Sequence, residues 1–160
     1  MQFYMKLPRS KMEFALFMAL ISIISVNIIA PLITFFELDF HMSIWADTLK
    51  VIPFIWLAVI ALVLITYKLA ELLTAMVVKE GDSFGSHVLI NILFTVLLMS
   101  IFLTVIGTWI GSRHLSMDPI RLFFYKWPRN FAISFFVESC IAQPIARFVM
   151  LKMHQRKTYE

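Results

Sequence analysis

Two long stretches of the chain carry no charged side chain, and these runs restrict the fold more than any other feature. They cover residues 14–36 and 88–110. A helix needs about 20 mostly apolar residues to cross the roughly 30 Å hydrocarbon core of a bilayer. A third and shorter run, 51–67, is also charge-free. A fourth, 127–150, is apolar but interrupted by Arg129, Glu138 and Arg147. We therefore expect four transmembrane helices.

The composition excludes soluble and disordered alternatives. Hydrophobic residues make up 61% of the 160 residues, and charged residues make up 15%. In soluble domains the hydrophobic share averages about 45–50% and the charged share about 25%. A domain of this size buries only ~68–70% of its surface, so a soluble form would expose much of its apolar excess to water. The single cysteine, Cys140, excludes a disulfide framework.

The distribution of basic residues predicts the orientation of the helices. The basic segment before the first run resembles the start of a signal peptide. The run 14–36 is longer than the apolar core of about 7–15 residues that such a peptide has. We therefore expect the first helix to stay in the mature protein. With four spans, both termini lie on one side, which carries nine Lys and Arg residues against five on the other. The positive-inside rule then predicts a multi-pass protein of the cell (plasma) membrane with both termini in the cytoplasm. The net charge of +4 is thus an orientation signal, and we expect no nucleic-acid partner.

An internal repeat relates the two halves of the chain. When the second half is aligned on the first, Pro53 pairs with Pro128 and Ser25 with Ser100, and a His-x-Ser motif recurs in both outer loops. The alternative is a chance alignment of two apolar hairpins. We expect an all-α membrane protein, a four-helix transmembrane bundle built from two tandem helical hairpins within one membrane domain. Its parts are repeat one at about 12–76, a cytoplasmic linker at 77–87 and repeat two at about 88–152, with outer loops at 37–50 and 111–126.

Three loose motifs resemble a known family. They are Ser22 and Ser25 in the first helix, Phe123, Phe124, Tyr125 and Trp127 before Pro128, and Ala142-x-Pro144-x-x-Arg147 at the close. Together they resemble a bacterial family of small two-span membrane proteins classified as a domain of unknown function, some of whose members contain the unit twice. The closing motif is missing from the first half of this chain. The resemblance implies the architecture, and it implies no activity or ligand.

The fourth span is the least apolar, and its polar residues are ordered. Its strongly apolar residues contribute about −2 to −5 kcal/mol to insertion and a mid-span carboxylate costs about +3 kcal/mol, so we expect it to depend on its neighbours. A spacing of four places residues on one helix face. The first row consists of Asn130, Ser134 and Glu138. A second row beside it consists of Ser139, Gln143 and Arg147. The predicted ligand or ion pathway comprises Glu138, Ser134, Asn130, Gln143, Asn27 of the first helix and Thr104 of the third.

Glu138 is the candidate on which a function most depends, because ionisable groups within a membrane line ion and substrate routes. One interpretation is a proton or cation site in a small transporter. The other is a structural carboxyl group, hydrogen-bonded to Asn27 or a threonine, or paired with Arg129 or Arg147.

Basic and aromatic residues precede the fourth span and predict contact with lipid headgroups on the outer side. They are Arg121, Lys126, Trp127 and Arg129. Membrane lipids are therefore expected partners.

The chain lacks the motifs of known catalytic and metal sites, including a nucleophile elbow, a Gly-rich phosphate loop and HExxH. Four histidines could in principle supply a haem with two histidine ligands. Such ligands should lie within the helices, but all four histidines lie at or beyond the ends of the spans. We expect no enzymatic activity, no cofactor and no metal. The predicted function is a small multi-pass membrane protein, a proton- or cation-linked transporter. The alternative is a non-catalytic accessory or assembly protein that binds partner helices or lipid, as a homo-oligomer or with a partner membrane protein.

Overall fold

The computed structural model describes residues 10–38, 42–79 and 81–158, and within these ranges the chain is helical without a strand. Three long helices come first, and the fourth span consists of α5, a π-helical segment and α6 in direct succession. The elements are α1 (Lys11–Leu38), α2 (Met42–Val77), α3 (Phe84–Ser112), α4 (Asp118–Arg121), α5 (Phe123–Val137), the π segment (Glu138–Ala142) and α6 (Gln143–Thr158).

Local sequence accounts for where the helices begin and end. The Ser10 hydroxyl accepts a hydrogen bond from the Glu13 N–H at 3.2 Å, and serine followed three residues later by glutamate is a capping-box sequence. The Ser83 hydroxyl likewise accepts from the Ser86 N–H at 3.1 Å at the start of α3. That helix ends where Arg113 adopts the left-handed conformation, with φ of 53°.

The four spans pack in a ring in chain order, α1 against α2, α2 against α3, α3 against the fourth span, and the fourth span against α1. Glu13, in the first turn of α1, lies 3.2 Å from His154 in α6. The Phe36 carbonyl, near the end of α1, accepts from Arg129 in α5. These two contacts make α1 and the fourth span antiparallel. The end of the bundle with Glu13 and His154 is called the terminal end below, and the opposite end the hairpin end.

Two apolar clusters hold the ring together. Between α1 and the fourth span, Phe17 and Ile21 pack on three fully buried residues, which are Ala142, Ala146 and Met150. Between α1, α2 and α3, the buried residues are Val26, Val59, Leu62 and Met99. Alanines spaced by four let backbones approach closely, as small residues do at membrane helix interfaces.

All four spans are long and apolar enough to cross a membrane, as the sequence predicts. They are Met12–Phe36, Ala46–Val77, Phe84–Ser112 and Phe123–Gln155. Large apolar side chains face outward, among them Leu64 and Ile65, of which more than two thirds is exposed. Such a surface is suited to lipid and not to water.

The connections differ from the sequence prediction in both halves. Of the outer loop predicted at 111–126, residues 118–121 and 123–126 are helical, in α4 and at the start of α5. The outer loop predicted at 37–50 is wrong, because α2 already begins at Met42. Asp47 and Lys50 form an ion pair of 2.9 Å at a spacing of three on this helix, so charges that suggest a loop belong to a helical turn. His41 of the first His-x-Ser motif lies outside the described residues. The second half keeps His114 and Ser116 in a connection between α3 and α4.

Candidate functional site around Glu138

Glu138 lies at mid-depth in the bundle and faces α1. It is one residue before the midpoint of the span Phe123–Gln155, and Ser25 is one residue after the midpoint of Met12–Phe36. The Ser25 hydroxyl donates a hydrogen bond to Glu138 Oε2. Ser25 itself is buried, with 8% of its surface exposed. The structure therefore joins the first and fourth spans through a carboxyl group at the centre of the membrane-spanning region.

The backbone from Glu138 to Ala142 is a π helix, and Pro144 favours the wider turn. Proline has no N–H, and its ring crowds the carbonyl group four residues earlier, here that of Cys140. The Gln143 N–H donates to the Glu138 carbonyl, five residues back, so the turn is wider than an α turn. Single π turns within α helices occur frequently at functional sites. A widened turn thus begins at the carboxyl group near the middle of the fourth span.

Close packing next to this turn fixes the pair. Ala142 and Ala146 have no exposed surface, and they contact Phe17 and Ile21 of α1. Ser25 follows Ile21 by one helical turn, so the face of α1 that packs on the alanines also carries the hydroxyl group. The Ser25–Glu138 hydrogen bond is therefore set by the interface between two helices.

A second polar group joins α3 to α5, nearer the hairpin end. Asn130 is buried, and its Nδ2 donates to Thr104 Oγ1 at 3.4 Å. Arg129 donates to the Asn130 side-chain oxygen at 3.4 Å. The Trp127 indole N–H donates to the Ser100 hydroxyl at 2.9 Å. These bonds use polar groups of the fourth span to bind neighbouring helices.

The predicted pathway residues do not form one continuous row. Asn130 and Thr104 contact each other, and Glu138 faces α1. Asn27 is exposed, and its amide donates to the Ile23 carbonyl of its own helix at 2.8 Å. Ser134 is partly buried, four residues from Asn130 and four from Glu138 along the chain. The structure thus divides the predicted pathway into two places. Asn130 lies against Thr104 of α3 and Glu138 lies against α1, and Asn27 belongs to neither contact.

The second predicted row lines one groove between the start of α3 and the fourth span. Ser139, Gln143 and Arg147 face Phe84, Val88 and Ile92 across a space of about 340 Å³. We call this the Arg147 groove. Gln143 Oε1 is buried there without a hydrogen-bond partner among the described residues.

The residues predicted at the lipid headgroups have different environments. Arg121 is exposed on α4. The Trp127 N–H is directed to Ser100 inside the bundle. The Arg129 guanidinium lies 5.8 Å from the centre of the Phe36 ring and donates to the Phe36 carbonyl. Lys126 is partly buried. Two of the four thus help to tie the helices together.

Sequence reasoning missed Ser25 as the partner of Glu138. The sequence of one helix carries no signal for this pair, because the rotation of α1 about its axis decides whether Ser25 or Asn27 faces the fourth span. The π segment was also missed, although Pro144 follows Glu138 by six residues.

The site can exchange a proton, or hold a small cation through oxygen atoms, at a carboxyl group next to a hydroxyl group. Among the described residues no three His, Cys, Asp or Glu side chains cluster as a metal site would require. Comparison of the chain with family models, with curated proteins and with solved structures found no match. The resemblance to two-span membrane proteins therefore stays a prediction.

Proposed function

We propose that this chain is a small multi-pass membrane protein that acts as a proton- or cation-linked transporter, with Glu138 as the group that carries the ion. One observation carries the proposal, the hydrogen bond from Ser25 to a carboxyl group at mid-span. A charged side chain at this depth is costly. A role in ion movement explains why the fourth span keeps one.

The proposal includes the arrangement of the chain in the membrane. Two tandem hairpins with both termini in the cytoplasm are supported by the repeat in the sequence and by the excess of basic residues on the side of the termini. The ring order of the helices agrees with this arrangement, because each hairpin pairs neighbouring spans. The terminal end is then the cytoplasmic end.

Ion binding at Glu138 would alter the contact between α1 and the fourth span. The ionised carboxylate accepts the Ser25 hydrogen bond strongly, because bonds to charged groups are roughly twice as strong as neutral ones. Proton uptake weakens that bond, and the bond lies at a π turn, a feature that occurs frequently at functional sites. Release of the hydroxyl group would therefore loosen the interface at the point where the ion binds.

Reconstituted vesicles test the transport proposal. Purified protein is placed in liposomes with an internal pH dye, and proton flux is driven by a potassium gradient with valinomycin, with or without a sodium gradient. The wild type is compared with Glu138→Gln, which keeps the shape and removes the ionisable group. Glu71→Gln is the matched control, because Glu71 is exposed on α2 and bonded to Tyr67 at 3.1 Å.

We expect proton or sodium-dependent flux in the wild type and in the Glu71 variant, and flux at the level of empty liposomes in the Glu138 variant. Equal flux in all three preparations would contradict the proposal, and so would the absence of flux above empty liposomes in the wild type.

A second candidate is an accessory or assembly protein. It is favoured by the polar groups that join neighbouring spans, namely Asn130 with Thr104, Trp127 with Ser100 and Asn91 with Thr74. A bundle whose polar groups bind its own helices suits a structural role. Native mass spectrometry of the protein from its own membrane distinguishes this candidate, which predicts a partner protein or a second copy at fixed stoichiometry.

A further inference from the structure

The outer face of α1 carries a side-chain amide that points away from the bundle. The chain has three asparagines, and all of them lie within the apolar spans. Asn91 donates to a threonine of α2 at 3.3 Å, and Asn130 donates to a threonine of α3 at 3.4 Å. Asn27 is exposed, and among the described residues its side chain bonds only to the Ile23 carbonyl of its own helix. Two asparagines therefore join helices within the bundle, and the third faces outward.

The depth of Asn27 leaves its amide without partners in the lipid. Asn27 follows the midpoint of the span Met12–Phe36 by three residues, which is about 4.5 Å along the helix. The hydrocarbon core extends roughly 15 Å to either side of its centre, so the amide lies among acyl chains, which offer no hydrogen bonds. One N–H is used within α1, and the carbonyl oxygen and the second N–H have no partner among the described residues. A polar group in hydrocarbon is unfavourable unless it is hydrogen-bonded, so a helix from outside the bundle is the partner that this position requires.

A second copy of the chain supplies the matching group at the same depth. Homo-oligomers are most often dimers with two-fold symmetry. Two copies inserted in the same orientation are related by an axis along the membrane normal, and this axis keeps each residue at its own depth. Asn27 of one copy therefore meets Asn27 of the other. Because an amide both donates and accepts, the two side chains form a reciprocal pair.

The surface around Asn27 has a shape that a second copy can fill. Ile23, one turn before Asn27, projects outward with 49% of its surface exposed. Beside these two residues a groove of about 280 Å³ lies between α1 and α2. Its other lining residues are Val26, Ile52, Pro53 and Trp56. Under two-fold symmetry the projecting side chain of each copy can pack on the apolar groove of the other.

The corresponding position in the second half of the chain lacks this amide. The alignment that pairs Ser25 with Ser100 pairs Asn27 with Phe102. Phe102 lies on α3 and is 42% exposed, and its apolar ring is suited to lipid. The outward polar group therefore distinguishes the face of α1 from the face of α3.

We propose that the chain forms a parallel dimer through the outer face of α1. The two Asn27 amides are hydrogen-bonded to each other at the axis, and Ile23 of each copy packs on the groove of the other. Dimerisation does not depend on ion transport by Glu138, and the two are measured separately.

Subunit counting of the full chain in liposomes tests the proposal. Each chain carries one fluorophore, and single-molecule photobleaching gives the fraction of dimers as the ratio of lipid to protein is raised. We expect wild-type dimers that dissociate on dilution. Asn27→Leu should raise the dissociation constant about tenfold or more, because two interhelical hydrogen bonds are lost. Asn27→Gln keeps an amide and should dimerise more tightly than Asn27→Leu, and Phe102→Leu is the matched control and should dimerise as the wild type does.

Disulfide cross-linking locates the interface and does not depend on the affinity measurement. Cys140 is the one cysteine of the chain, so Cys140→Ser provides a background for single thiols. In this background Asn27→Cys places two thiols at the proposed axis, and oxidation with copper phenanthroline should give a covalent dimer. Phe102→Cys, at the corresponding position on α3, should remain monomeric.

Four results would overturn the proposal. The first two are a wild type that stays monomeric at every lipid ratio and an Asn27→Leu variant that dimerises as tightly as the wild type. The third is cross-linking of Phe102→Cys as efficient as that of Asn27→Cys. The fourth is cross-linking of Asn27→Cys, in the native membrane, to a different protein in place of a second copy.

Discussion

Removal of the Ser25 hydroxyl group should destabilise the bundle only while Glu138 is present. Ser25→Ala takes away the donor to Glu138 Oε2 and changes little volume at a buried position. Glu138→Leu removes the acceptor and puts an apolar side chain of similar length in its place. The two single variants and the double variant form a double-mutant cycle that measures the coupling between the residues.

The expected magnitude follows from the environment of the bond. Interhelical hydrogen bonds in membrane proteins contribute about 0.6–2 kcal/mol, and an acceptor left unsatisfied costs about 1–3 kcal/mol. We expect Ser25→Ala to lower the free energy of unfolding by about 1–2 kcal/mol in the wild type and by less than about 0.5 kcal/mol in the Glu138→Leu background. The coupling free energy is then on the order of 1 kcal/mol.

Equilibrium unfolding in mixed micelles with increasing dodecyl sulfate provides the assay, followed by tryptophan fluorescence. Trp127 reports on the contact between α3 and α5. A control cycle pairs Ser25→Ala with Glu71→Leu, whose effects should add within about 0.3–0.5 kcal/mol because Glu71 is bonded to Tyr67 on α2. If Ser25→Ala has the same effect with and without Glu138, the hydrogen bond between these two residues does not stabilise the helix pair.

Three further predictions concern the same interfaces. Glu138→Leu should make insertion of the isolated fourth span about 3–4 kcal/mol more favourable, measured as the inserted fraction in a translocon assay, and an unchanged fraction would contradict it. Ala146→Leu should lower the free energy of unfolding by about 1–3 kcal/mol, because Ala146 has no exposed surface and cannot accept a larger side chain. Ala132→Leu is the control and should change the free energy of unfolding by less than about 0.5 kcal/mol, because Ala132 is exposed. Thr104→Val should cost about 0.6–2 kcal/mol by the same assay, because it leaves the Asn130 amide without its acceptor; no loss would contradict that role.

The four spans could be predicted from the sequence because apolar run length is a local property. The same is true of the row of Ser139, Gln143 and Arg147, since a spacing of four places residues on one face and all three line one groove. The first outer loop was not predictable in this way. Its charged residues suggest a loop, but Asp47 and Lys50 form an ion pair with each other on one turn of α2.

The partner of Glu138 could not be predicted from one helix at a time. Ser25 and Asn27 are two residues apart and point in different directions, and the rotation of α1 decides which of them meets the fourth span. That rotation is set by the packing of Phe17 and Ile21 on alanines of the fourth span. The π segment also depends on tertiary packing, because a proline can equally kink a helix without a π turn.

The proposed transport requires that the carboxyl group of Glu138 gains and loses an ion within the membrane. Infrared difference spectroscopy of the reconstituted protein, recorded between acidic and alkaline buffer with and without sodium, measures this directly. We expect a carboxyl band that changes with pH or sodium, disappears in Glu138→Gln, and shifts in Ser25→Ala because the hydroxyl donor is lost. A wild-type spectrum identical to that of Glu138→Gln across the pH range in which the protein stays folded would contradict a transport role for Glu138.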